Sequence, residues 1–236
     1  MGTQNLNRSA RYRMVLAYRV EYKKFPTSEA NWLALLNQPP GMNVLICGIK
    51  VGDKHEENVK KSFILGFNSY KKDLTPDLIT ISTSTMPSNC FREAEENNYP
   101  MAIMSLKEAS YYNEVAKNYQ KVVMFMPAGS NNFKKVFQSS VASSPMVITG
   151  AGDKHNKTGY NVEFFSINPL NQKSFISSYS NGYVAGQIAY IAKKLGISVS
   201  QARTIARETA SFTKSFTAEN GFGQIQIEQA LARGKK

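Results

Sequence analysis

The sequence predicts an α/β fold: a mostly parallel sheet with helices on both faces. Strand-like apolar runs alternate with amphipathic stretches of helical period, and the connections between them are short. One run, Asn43–Ile49, is apolar throughout, as a strand covered on both faces must be. Such alternation favours strand–helix–strand crossovers. Composition agrees. Of 236 residues, 42% are hydrophobic and 19% charged, enough apolar surface for a core and too little charge for disorder. No run of roughly eighteen apolar residues exists, so no membrane span is expected.

Residues 1–12 read as a polar arm, 13–232 as a single domain and 233–236 as a basic tail. Met14–Val20 is a first strand. Pro26, Thr27 and Ser28 supply turn and N-cap chemistry for a helix over Glu29–Asn37, which Pro39, Pro40 and Gly41 stop. Asn43–Ile49 is the second strand. A helix over Glu56–Tyr70 follows, with Val59, Phe63, Phe67 and Tyr70 on one face and lysines on the other. Asp77–Ser82 is the third strand, and Ser84–Asn98 reads as loop. Met101–Met104 is a short strand, 108–119 a helix, and Lys121–Met126 and Met146–Thr149 are further strands. In such sheets the site lies where the strands' carboxyl ends open, here near Tyr18–Val20, Lys50–Val51, Ser82–Ser84 and Ala128–Ser130.

Ser177–Leu195 is the most informative segment. Gly182, Ala185, Gly186, Ala189 and Ala192 form a stripe of small residues at helical spacing. A glycine inside a helix costs about 1 kcal/mol relative to alanine, so two of them imply a backbone packed tightly on a neighbour, in the middle of a domain. Ser177 and Ser178 stand at the helix start, where unpaired N–H groups and a partial positive charge collect. Either they cap the helix, or one is a nucleophile or anion site.

Charge and cysteines bear on partners. Lys+Arg 29 against Asp+Glu 17 gives +12, a field that attracts acidic molecules. The lysines come in scattered pairs such as Lys60–Lys61 and Lys193–Lys194, which commonly serve solubility, so a protein or peptide partner, acidic by complementarity, is favoured over nucleic acid. Cys47 and Cys90 are expected as reduced thiols, with one bridge between them as the alternative. The start, MGTQNLNRSARYR, has no apolar stretch of signal length after it, so a cytoplasmic location is expected. The glycine-containing runs 48–53 and 150–153 complete no phosphate-binding pattern, and no Cys/His cluster has metal spacing. No cofactor and no metal are expected.

The order of motifs resembles the subtilisin-like serine peptidases. Val184-Ala185-Gly186 matches that family's Val-Ala-Gly, and counting back places Ser178 on the nucleophile at the start of the central helix. Ile197–Ile205 is similar to the helix start that follows, and Gly221-Phe222-Gly223-Gln224-Ile225 to the closing Gly-Tyr-Gly-x-Val. Val122–Asn132 resembles the strand that ends in the oxyanion asparagine, with Ser130 at its position and Asn131 one residue late, a displaced donor. Asp77–Ser82 resembles the family's Asp-Val-Ile-Asn-Met-Ser strand, and Pro40–Val51 its Pro-x-Ala-x-Leu-x-x-Val-Lys-Val segment. The resemblance spans most of 40–232 and implies a three-layer subtilisin-like fold.

It departs where the chemistry lies. Tyr18 or Arg19 stands at the position of the family aspartate. The histidine would fall in Phe25–Ala34, about Pro26, where the chain has none. A carboxylate base of the sedolisin kind would use Glu29, yet Leu33 follows four residues on. The two histidines, His55 and His155, fall outside the motif. A serine without a base is a poor nucleophile. The resemblance therefore implies a catalytically inactive pseudopeptidase that binds a protein or peptide. Two alternatives stay open: a divergent active serine endopeptidase using Ser178 with His55, His155 or Glu29 as base, and a basic nucleic-acid-binding protein.

Overall fold

The computed structural model describes residues 42–48, 52–84, 87–105, 122–127, 146–151, 162–166, 169–170, 177–212 and 221–235. All of them belong to one compact unit, Pro39–Lys236. Six strands form one sheet: β1 (Asn43–Cys47), β2 (Leu78–Ser82), β3 (Met101–Met104), β4 (Val123–Pro127), β5 (Met146–Ala151) and β6 (Phe164–Ser166). Their order is β2-β1-β3-β4-β5-β6, and every pairing is parallel. The described helices are α1 (Lys54–Phe67), α2 (Pro87–Glu96), α3 (Ser177–Leu195), α4 (Val199–Thr209) and α5 (Ile227–Arg233). This is the α/β architecture expected, a parallel sheet with helices on both faces.

Side chains alternate across the sheet with the period of two that a strand imposes. Val44, Ile46, Ile103 and Phe125 point into a core shared with Val59, Phe63 and Phe67 of α1 and with the apolar face of α3. Leu45, Cys47, Ala102, Met104, Met124 and Met126 point the other way, onto Cys90, Phe91 and Ala94 of α2. The chain runs from β1 outward to β2 through α1, then back across β1 to β3 through α2. Parallel crossovers are right-handed, so reversing the direction of travel moves the connecting helix to the opposite face. That reversal makes the boundary between β1 and β3 the point where the strand order switches, and a crevice opens beyond the carboxyl ends there.

α3 is buried along nearly its whole length and packs lengthwise on α1. The small residues explain how. A Cβ on Gly186 would stand 2.1 Å from the Phe63 carbonyl oxygen, and one on Gly66 2.0 Å from that of Tyr183. The two backbones approach as closely as the stripe in the sequence implies.

The structure corrects two expectations. Ser84–Asn98, read as loop, contains α2. Its apolar positions are only Cys90, Phe91 and Ala94, too few for a helical period to show, and the fold buries all three. Cys47 and Cys90, expected as reduced thiols, form a disulfide buried between the end of β1 and α2. Spacing along the chain carries no sign of this pairing; the sheet brings the two together. The strand over Asp77–Ser82 exists as β2, but it is the edge of the sheet and β1 separates it from β3. The short strand β6 was not legible in the sequence. The expected strand Met14–Val20 and the helices over Glu29–Asn37 and 108–119 lie outside the described residues.

Candidate active site

Two helix starts meet beyond the carboxyl ends of β1 and β3. α1 opens on the N-cap Asp53, whose Oδ1 accepts the N–H of His55 at 2.7 Å. The cap fixes the backbone of the residue that carries the imidazole. α3 opens on Ser177 and Ser178, both buried. Ser178 Oγ stands 3.0 Å from His55 Nε2. That is hydrogen-bond distance between a hydroxyl and an imidazole nitrogen from residues 123 apart in the chain.

The imidazole is held on two further sides. Its ring lies against Tyr179, centroids 5.3 Å apart, and the Tyr179 hydroxyl accepts Asn58 Nδ2 at 3.1 Å. The carbonyl of Ser105, just past β3, is 3.3 Å from Nε2. A single ring nitrogen cannot serve both oxygens in one state. With the proton on Nδ1, Nε2 accepts the Ser178 hydroxyl; once Nε2 is protonated it becomes a donor, and the Ser105 carbonyl is an acceptor at hand. Among the described residues no carboxylate bonds Nδ1.

One turn into α3, Asn181 secures the helix to the sheet. Its Nδ2 donates to Met104 O at the end of β3 and Phe125 O in the middle of β4, each at 3.0 Å, so these two strands hold the first turn of α3 directly. The unpaired N–H groups of that turn give the neighbourhood of Ser178 a positive field. A hydroxyl, an imidazole and a helix N-terminus together suit acyl transfer: a nucleophile, an acceptor for its proton and a field that stabilises an oxyanion.

Solved structures share this arrangement of helices and sheet. The chain is similar to the MycP3 protease from the type VII (ESX-3) secretion system, with a TM-score of 0.55 at 13% identity, covering 88% of this chain and 90% of that one. It is similar also to the epidermin leader peptide processing serine protease of Staphylococcus aureus, with a TM-score of 0.54 at 12% identity over 88% of this chain and 79% of that one. The fold is one that these two proteases share. No protein-family model matches the chain, and no curated relative does. Identities this low establish fold alone.

Within that protease fold, Ser178 stands at the start of a central helix, where the sequence placed it. The expectation that no imidazole reaches it is corrected by His55. Sequence order puts His55 behind a strand and outside any histidine motif. Sheet order puts that strand beside β3, whose end Asn181 of α3 binds. Tyr18, Pro26, Glu29, Ser130, Asn131 and His155 lie outside the described residues. The sequence reading missed Ser105, Tyr179 and Asn181. The one available signal was a histidine at the second position of a helix behind an aspartate N-cap.

Proposed function

We propose that this chain is a subtilisin-like serine peptidase in which Ser178 is the nucleophile and His55 the general base. The observation that carries the reading is the 3.0 Å contact between Ser178 Oγ and His55 Nε2. As Oγ bonds the acyl carbon, its proton passes to Nε2. The same proton then goes to the leaving nitrogen as the C–N bond breaks, and water repeats the sequence on the acyl-enzyme. The N–H groups at the start of α3, with Asn131 or Ser130 as a side-chain donor, would hold the oxyanion. The two proteases that share the fold support the class of reaction. An extended peptide laid along the strand ends is the substrate the architecture suits, and the charge of +12 favours an acidic one. The buried Cys47–Cys90 bridge argues for an oxidising compartment over the cytoplasm expected from the first residues.

A fluorophosphonate probe tests this directly. The wild-type protein should be labelled on Ser178, located by peptide mass spectrometry, and Ser178→Ala should not be labelled. His55→Ala should slow labelling by about a hundred- to ten-thousand-fold, the usual contribution of a general base. A wild-type protein that stays unlabelled, with its fold intact by circular dichroism, overturns the reading and returns the chain to a pseudopeptidase that only binds.

A further inference from the structure

We infer that Glu56 is the positioning carboxylate of the His55–Ser178 pair, acting through Ser105 and not on the imidazole itself. The inference rests on the peptidase reading and supplies the partner that reading leaves open, since no carboxylate among the described residues bonds His55 Nδ1.

Of the acidic residues around the start of α1, Asp53 is exposed and Glu57 half-buried, whereas Glu56 is 1% exposed. Burying a carboxyl is costly unless it is hydrogen-bonded, and the Ser105 hydroxyl supplies such a bond to Glu56. The fold also makes room for it. A Cβ on Gly48, the residue after β1, would stand 2.2 Å from Glu56 Oε1 and 2.3 Å from its Cγ. Gly48 does not have the positive φ that would demand glycine for backbone reasons. The absent side chain is explained by the carboxyl lying in its place.

Ser105 connects that carboxyl to the imidazole. Its hydroxyl donates to Glu56 Oε1 at 3.2 Å, its N–H donates to Cys47 O at 2.9 Å, and its carbonyl faces His55 Nε2 at 3.3 Å. Fastened at two points, Ser105 presents its carbonyl at a set place. While Nε2 is unprotonated the carbonyl gains nothing from it. When the Ser178 proton arrives on Nε2, the carbonyl accepts from the new N–H and the Glu56 charge lies behind it. Glu56 exchanges no proton in the step. The device stabilises the cationic imidazole and leaves the neutral one alone, which is what a base needs during acylation.

Two variants and two readouts test it. Of the ionisable groups around His55 among the described residues, Tyr179 from α3 lies against its ring, the Asp53 N-cap carboxylate accepts its backbone N–H, and Glu56 reaches it only through Ser105. Glu56→Gln keeps the shape and an acceptor for Ser105 while removing the charge; Gly48→Ala displaces the carboxyl with no hydrogen-bonding group altered. His55 and His155 are the only histidines, so the imidazole titration is readable by NMR, with His155→Gln giving the assignment. Both variants should move the His55 titration midpoint down by about one pH unit and lower the plateau rate of fluorophosphonate labelling roughly tenfold. A midpoint and rate equal to wild type in folded Glu56→Gln overturn the inference. If that variant does not fold, Gly48→Ala decides on the same two measurements. A wild type that does not label defeats the peptidase reading, while the NMR midpoint still judges Glu56 separately.

Discussion

Asp77, Asp73 and Tyr190 tie the last turn of α3 to the segment before β2. Burial alone would raise the Asp77 carboxyl, but the Lys193 ammonium and the Met42 N–H outweigh it and hold it below the usual carboxylate range. Lys194, with help from the Tyr190 hydroxyl, holds Asp73 low in the same way. Burial, then the neighbouring Asp73, pushes the Tyr190 phenol up to about 12. The Lys193–Lys194 pair, which the sequence reads as a solubility feature, is thus committed to carboxylates. A carboxylate whose value is lowered by folding stabilises above its unfolded value, 3.8 here, and that stability is lost as pH falls through the folded value. A phenol whose value is raised stabilises below its unfolded 10.0 and loses that contribution as pH climbs towards about 12. Urea midpoints should therefore fall below about pH 4 and again above about pH 10. Asp77→Asn should remove part of the acid limb, and Tyr190→Phe should flatten the alkaline one. Equal pH profiles for wild type and variants would show that these contacts do not form in solution.

At the scale of elements, the pairing of α1 with α3 is what brings His55 to Ser178. Both residues belong to the first turns of their helices, so the approach of the two backbones sets the distance between the side chains. Gly186→Ala separates two effects of opposite sign. Alanine improves helix propensity by about 1 kcal/mol, while its Cβ would enter the Phe63 carbonyl and the Phe67 N–H at 2.1 and 2.6 Å. Those atoms are backbone and cannot turn away. Overpacking should win, with a net loss of about 1–3 kcal/mol by urea denaturation and slower labelling of Ser178. A stabilised Gly186→Ala protein would mean that the helices pack more loosely than described.

For the whole molecule, the strand order decides where chemistry can occur. The switch between β1 and β3 opens the crevice, and the Cys47–Cys90 bridge fastens the end of β1 beside it to α2. The bridge joins residues 43 apart and should contribute about 2–4 kcal/mol, chiefly by restricting the unfolded chain. Cys47→Ser with Cys90→Ser should lower stability by that amount, and the wild type under reducing denaturant should match the double variant. Wild-type stability unaffected by reductant would mean that the thiols are not joined. On the opposite face, Glu163 is fully buried beneath Arg203 and Arg207 and fastens α4 beside β6, a structural device distant in the sheet order from the β1–β3 crevice.

Local patterning determined a good deal of this protein. The apolar runs became β1 to β5 with ends shifted by a few residues, the amphipathic stretch became α1, and the stripe of small residues became the buried central helix with Ser178 at its start. Each of these depends on neighbours within a few turns or alternate residues, which is the range over which periodicity and propensity act. The partners of Ser178 and Cys47 do not. His55 lies 123 residues from the serine it touches, and Cys90 lies 43 from the cysteine it joins. These meetings follow from the order of strands in the sheet, which differs from their order in the chain. Only the folded sheet sets β1 against β3, and with it the imidazole, the hydroxyl and the buried carboxyl of Glu56, because side-chain geometry at a crevice is the sum of long-range packing choices that no short window contains.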